Sequence, residues 1–111
     1  MEQAPTDYGM RLYKKLVRDG IPDMMMRSGT RVMIRTANEK EIDGFLKDKF
    51  YEEIEDFFRA PGMEELADIL ELVHTAASVH SFDLAKVEEM RQQKAVAKGS
   101  FSRRLILVGA K

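Results

Sequence analysis

Residues 38–79 read NEKEIDGFLKDKFYEEIEDFFRAPGMEELADILELVHTAASV. The stretch opens on Asn38, with Glu41 three residues later. This is the capping-box pattern, in which each side chain satisfies the other's backbone N–H at a helix start. Behind it, Ile42, Phe45, Leu46, Phe50, Ile54, Phe57 and Phe58 recur at spacings of mostly three and four. That is the period of one helical face and predicts a helix running to about Arg59, slightly weakened by Gly44. Ala60-Pro61-Gly62 is a tight break. A second helix follows from about Met63 to Val79, with Leu66, Ile69, Leu70, Val73 and Ala77 on one side. So short a break forces the two helices to be antiparallel neighbours.

Outward from this pair, Asp83 is suited to cap a third helix that carries Leu84, Val87 and Met90 and ends before Gly99. Leu105–Val108 reads as a brief closing strand. Upstream, Arg31–Arg35 alternates basic and apolar side chains and reads as a short strand. Pro22 is placed to be the first residue of a short helix through Met26 and Arg27, ended by Ser28-Gly29. Asp19-Gly20-Ile21-Pro22 turns the chain, and Glu2–Gly9 reads as a loose terminus. The expected fold is all-α: a helical bundle with short N- and C-terminal extended segments, one domain over residues 1–111. Its two central helices are too apolar for one chain to cover, so the bundle is expected to be completed by oligomerisation, as a homodimer or homotetramer.

Composition sets the outer limits. Of 111 residues, 44% are hydrophobic and 33% charged, the balance of a globular protein. The longest apolar run is only a few residues, so no membrane span is expected. Met1–Arg11 lacks the apolar core of a signal peptide. The absence of cysteine excludes a disulfide framework, a thiolate zinc site and a Cys nucleophile, and fits a cytoplasmic protein. Net charge is −1, but residues 39–71 hold 12 acids against 4 bases, leaving 7 acids and 14 bases elsewhere. A carboxylate-rich centre flanked by bases suits a metal–polyphosphate ligand, although solvated helix faces give the same counts.

The placement of the acids is more telling. With about 100° per residue and Ile42 at zero, the apolar arc of the first helix spans about 300° to 160°. Glu53 falls inside it at about 20° and Asp56 near its edge at about 320°. Glu52 lies just outside, at about 280°, and Glu55 points away at about 220°. On the second helix, with Met63 at zero, Glu65 at about 200° lies inside the apolar arc and Asp68 at about 140° beside its edge, while Glu64 and Glu71 face solvent. Each helix therefore aims an acid pair, spaced i,i+3, at the packing interface. An unpaired buried carboxylate costs several kcal/mol or is forced neutral, and the inner arcs offer no base beyond Lys49 near a boundary. A hard cation with all-oxygen ligands accounts for the set.

These residues resemble a known family. Glu52-Glu53-Ile54-Glu55-Asp56 followed by Glu65-Leu66-Ala67-Asp68 is similar to the EExxE…ExxD signature of all-α NTP pyrophosphohydrolases, the MazG-like and phosphoribosyl-ATP diphosphatase-like proteins. Lys15-Leu16-Val17-Arg18-Asp19-Gly20-Ile21-Pro22 resembles the KLVRDKIP opening of one subgroup, and Lys94…Lys98-Gly99-Ser100-Phe101 its K…RGGF close. The chain departs from the pattern at Asp56, which replaces the usual Glu, at Gly20, which replaces a common Lys, and at Lys98-Gly99-Ser100, which replaces Arg-Gly-Gly.

The resemblance implies that Glu53, Asp56, Glu65 and Asp68 bind Mg²⁺, with Mn²⁺ able to substitute, and that Glu52 orients or deprotonates the attacking water. It implies attack at the α-phosphorus of a nucleoside triphosphate, releasing pyrophosphate. Lys15, Arg18, Lys94, Lys98 and Arg103 are candidates for phosphate contacts, with Lys15 and Arg18 the choice for reaching a nucleotide across a subunit interface. A house-cleaning role is expected over a biosynthetic one, because no histidine-biosynthesis domain accompanies the sequence. The alternative is a non-catalytic helical oligomer of the same fold that binds nucleotides or a protein. A nucleic-acid polymer is not an expected partner, since no such binding motif is present. Glu71-Leu72-Val73-His74 is an ExxH, but a di-iron bundle needs that motif twice. The methionines, Met24, Met25, Met26, Met33, Met63 and Met90, are expected to fill core gaps. The phenylalanines are expected in the core or at a subunit interface, and Tyr51 is the candidate for stacking on a base.

Overall fold

The computed structural model describes residues 9–111. Apart from Gly9, the terminus expected to be loose lies outside the described residues, as does most of the stretch Met1–Arg11. Four helices follow in order: α1 (Ile21–Arg27), α2 (Ile42–Arg59), α3 (Met63–Val79) and α4 (Leu84–Lys98). The chain forms two compact units, Met1–Leu72 and Val73–Lys111. The division falls within α3.

In the first unit, Pro22 opens α1 at a position where its missing N–H costs nothing. The Ser28 hydroxyl donates to the Met25 carbonyl at 2.8 Å, and Gly29 leaves the helix in the left-handed region at φ +90°. The capping box before α2 is formed. Asn38 Oδ1 accepts from the Glu41 N–H at 3.0 Å, and Glu41 Oε2 accepts from the Asn38 N–H at 3.0 Å. Arg35 pairs with the same Glu41 carboxylate and so ties the preceding loop to the helix start. At the other end, the Ala60 N–H closes α2 on the Asp56 carbonyl at 3.2 Å, and the chain re-enters a helix at Met63.

The buried side chains of this unit, among those described, are Leu46, Leu72 and Glu53. The wide apolar arcs of both helices are split. On α2, Phe50 and Phe57 are half-buried beside Leu46 and Glu53, while Tyr51, Ile54 and Phe58, at spacings of three and four, are exposed. On α3, Ile69 is half-buried with Glu65 and Asp68, while Met63, Leu66 and Leu70 are exposed at 87%, 52% and 58%. One stripe of each helix is thus covered within the chain and a second is not.

In the second unit, Asp83 caps α4 by accepting from the Ala85 N–H at 2.9 Å, and Gly99 ends it at φ +89°. Ala77 is its buried apolar side chain, and Leu105–Val108 is exposed throughout.

Two expectations are corrected here. No strand occurs among the described residues, so neither Arg31–Arg35 nor Leu105–Val108 forms one. Each has strand-like side chains, but neither has a backbone ladder partner, and an isolated extended segment has little to hold it in water. The methionines do not fill a core. Met24, Met26, Met33, Met63 and Met90 are exposed, and α1 buries no residue at all. No helix of the described residues is long and apolar enough to cross a membrane.

Candidate functional site

Glu53 follows Leu46 by seven residues and Phe50 by three, and precedes Phe57 by four. Those spacings put it in the middle of the covered face of α2. It is 9% exposed, the one buried charged residue among those described. Burial pushes its carboxyl above the ordinary carboxylate range. The charges of Asp68, Glu52 and Asp56 push in the same direction, against the pull of Lys49. Asp68, which lies on α3, is thus among the charges that act on this group.

The acids around Glu53 each hold a cation. Arg18 Nη2 donates to Asp68 Oδ1 at 2.6 Å. That hydrogen bond holds the guanidinium pKa above its ordinary value, with Glu71 and Glu53 adding to the effect. Lys15 and Lys49 approach the two oxygens of Glu52 at 3.5 and 3.3 Å. Arg59 pairs with Asp56 at 2.8 Å. Glu53 itself has no ion pair among the described residues. Three carboxylates are thus neutralised by four bases around a fourth that is not.

The expected site residues are therefore brought together in part. Glu52, Glu53, Asp56 and Asp68 form one electrostatic cluster, with Lys15 and Arg18 reaching into it from the N-terminal segment. Glu65 is half-buried as expected, but its carboxylate is folded back over the helix start. A methyl group built on Gly62 would lie 2.6 Å from Glu65 Oε1. Glu55, Glu64 and Glu71 are exposed, as their positions on the helices require. Lys94, Lys98 and Arg103 belong to the second unit, where all three are exposed.

Arg59 is not expected as a partner of the acids, and Lys49 is expected only as a base near the boundary of the inner arc. Their signal was present in the i,i+3 spacings Lys49–Glu52 and Asp56–Arg59, which bring side chains together on any helix. Lys14 carries no such signal, yet it adopts φ +51° beside the site, a left-handed conformation that is uncommon for a residue with a β-carbon.

The donor chemistry fits a hard divalent cation: carboxylate oxygens alone, one of them buried with no ion pair among the described residues. Among the described residues no three His, Asp or Glu side chains converge to the spacing of a ligand shell. Glu52, Asp56 and Asp68 are each engaged with bases instead. Loading a cation requires those carboxylates, and Glu65, to rotate inward. No family model, no curated protein and no solved structure matches this chain.

Proposed function

We propose that this chain hydrolyses a nucleoside triphosphate at the α–β bond, giving the nucleoside monophosphate and pyrophosphate in a cytoplasmic house-cleaning role. The observation that carries the reading is Glu53, a buried carboxylate with no ion pair of its own, ringed by Glu52, Asp56 and Asp68. Keeping so costly a group is explained by a cation that it serves.

In this reading Glu53, Asp56, Glu65 and Asp68 hold Mg²⁺, or Mn²⁺ in its place. The metal, when bound, neutralises phosphate charge and lowers the pKa of a coordinated water. Glu52 is half-exposed next to Glu53, which suits a general base open to solvent. It orients the attacking water and takes its proton. The new bond joins the water oxygen to the α-phosphorus. The bond that breaks is the bridging P–O bond, and its electrons leave with pyrophosphate. Lys15 and Arg18 turn from Glu52 and Asp68 to phosphate oxygens. The active form is a homodimer or homotetramer whose exposed apolar stripes on α2 and α3 meet their copies.

The test is release of pyrophosphate from a panel of NTPs and dNTPs. Release is expected with Mg²⁺ or Mn²⁺ and is lost with a chelator. Ca²⁺ binds but supports little turnover, because its larger, looser shell positions water poorly. Hydrolysis that resists a chelator would give the carboxylates another job. No hydrolysis of any nucleotide would leave a non-catalytic binding oligomer.

A further inference from the structure

Of the four bases paired to the acids around Glu53, two sit on expected cation ligands. Arg59 meets Asp56 from three residues along the same helix, a contact that this spacing favours on any helix. Arg18 is different. Its Nη2 donates to Asp68 Oδ1 at 2.6 Å across 50 residues of sequence, as short as a charge-assisted hydrogen bond becomes. Glu71 and Glu53 act on the same guanidinium, so one positive charge already stands among the acids of α2 and α3. The backbone at Arg18 is fixed by the turn into α1, where its carbonyl accepts from the Ile21 N–H at 3.0 Å. α1 buries no side chain, so no buried residue of that helix ties the segment down. Both partners are reachable from solvent, with side chains 55% and 36% exposed. An ion pair so exposed is weak in net terms, and a divalent cation can displace it.

We propose that Arg18 is an internal counter-ion that occupies Asp68 in the cation-free protein and must be displaced before a divalent cation can use that carboxylate. This latch rests on reading the acids of α2 and α3 as a cation site, and it adds what keeps that site closed and what opens it. A guanidinium cannot leave by losing its proton, so the two cations compete for one carboxylate as whole charges. The competition works in both directions. With Arg18 in place, an entering cation has one ligand fewer and meets a like charge. With the cation in place, Asp68 is taken, and Arg18 is released together with the segment that carries it. Free divalent cation is therefore held more weakly than the four carboxylates alone would hold it, and an anion that draws Arg18 away strengthens that hold. Lys15 does not share this role. It lies 3.5 Å from Glu52, which is not among the expected cation ligands and also meets Lys49 at 3.3 Å.

The experiment is titration of the metal-free full chain with Mn²⁺, the unbound ion being followed by electron paramagnetic resonance. Arg18→Gln should tighten Mn²⁺ binding about three- to five-fold over wild type, the upper range of an exposed ion pair. Lys15→Gln removes the same charge from the same segment and should change affinity less than about two-fold, since its partner is not a ligand. Release of Arg18 is read separately, by mass-spectrometric mapping of arginines modified with phenylglyoxal. Saturating Mg²⁺ should speed modification of Arg18 several-fold and leave that of Arg27 on α1 unchanged. Affinity in Arg18→Gln no tighter than wild type overturns the latch. So do equal gains from Arg18→Gln and Lys15→Gln, which would mark a diffuse charge effect, and an Arg18 modification rate indifferent to Mg²⁺. Helical content measured on every variant keeps the comparison to folded protein. Where wild type binds Mn²⁺ and Glu53→Gln loses it, any of these failures sinks the latch alone and leaves the cation site standing. No Mn²⁺ binding by wild type and Arg18→Gln alike sinks the cation site, and the latch with it.

Discussion

Glu53 carries the account at the scale of a single residue. Its carboxyl titrates above the ordinary value of 4.5 because burial and three neighbouring acids disfavour its charge. The sign of the effect on stability follows. Below the unfolded pKa the group is protonated in both states and costs nothing. As pH rises from there through the raised folded value, the folded state must bear a charge that the unfolded state solvates freely, and stability is lost. Glu53→Gln in metal-free protein should therefore be at least as stable as wild type at pH 7, with the advantage shrinking toward pH 4. Thermal unfolding in chelator across that range measures it. An advantage that stays constant, or reverses near neutrality, would mean the carboxylate is satisfied in a way the structure does not show. Glu41 and Glu88 run the other way. Hydrogen bonds from Arg35 and Arg91 lower their pKa values, so their contributions are present above the unfolded pKa and are lost as pH falls through the lowered folded values. Comparing the two proteins removes that shared background.

At the scale of the element, the chain is held by local signals. Asn38 and Glu41 satisfy each other's backbone N–H before α2. Asn38→Ala should cost about 1 kcal/mol, the usual loss of a cap, read as a lower denaturation midpoint with unchanged slope. A change within error would show that the Arg35–Glu41 pair alone sets the helix start. Such caps are why the three longer helices were legible in the sequence. Asn38, Pro61-Gly62, Asp83 and Gly99 act within a few residues of themselves, and the helical period between them depends on no distant partner. The positions of Glu53, Asp56 and Asp68 on or beside the covered faces were legible for the same reason, since a helix fixes the face on which each residue sits. What was not legible depends on distant partners. Arg31–Arg35 and Leu105–Val108 have strand-like side chains, but a strand exists only when another backbone pairs with it. Glu65 lies on the expected face, yet its flexible side chain turns back over Gly62, a choice among rotamers that helical position does not decide. The contact of Arg18 with Asp68 spans 50 residues, and neither spacing nor the resemblance, which gives Arg18 to phosphate, signals it.

At the scale of the whole molecule, the uncovered stripes are the main feature. Tyr51, Ile54 and Phe58 on α2 and Met63, Leu66 and Leu70 on α3 are all exposed, Phe58 at 74%. Burying each large apolar side chain contributes roughly 1.5–3 kcal/mol, and leaving a contiguous set in water favours association. Sedimentation at micromolar concentration should show a dimer or tetramer. Phe58→Asp with Leu66→Asp should shift it toward monomer and lower turnover together, because each stripe lies on a helix that carries the acids. A stable, active monomer of the wild-type chain would contradict the assembly.

The central claim is that the carboxylates of α2 and α3 hold a catalytic divalent cation. Titrating metal-free protein with Mn²⁺ and following the unbound ion by electron paramagnetic resonance tests it most directly, with Glu53→Gln and the outward Glu55→Gln compared to wild type. Wild type and Glu55→Gln should bind Mn²⁺ alike, and Glu53→Gln should lose the site. Equal binding by Glu53→Gln, or no binding by wild type, would contradict it.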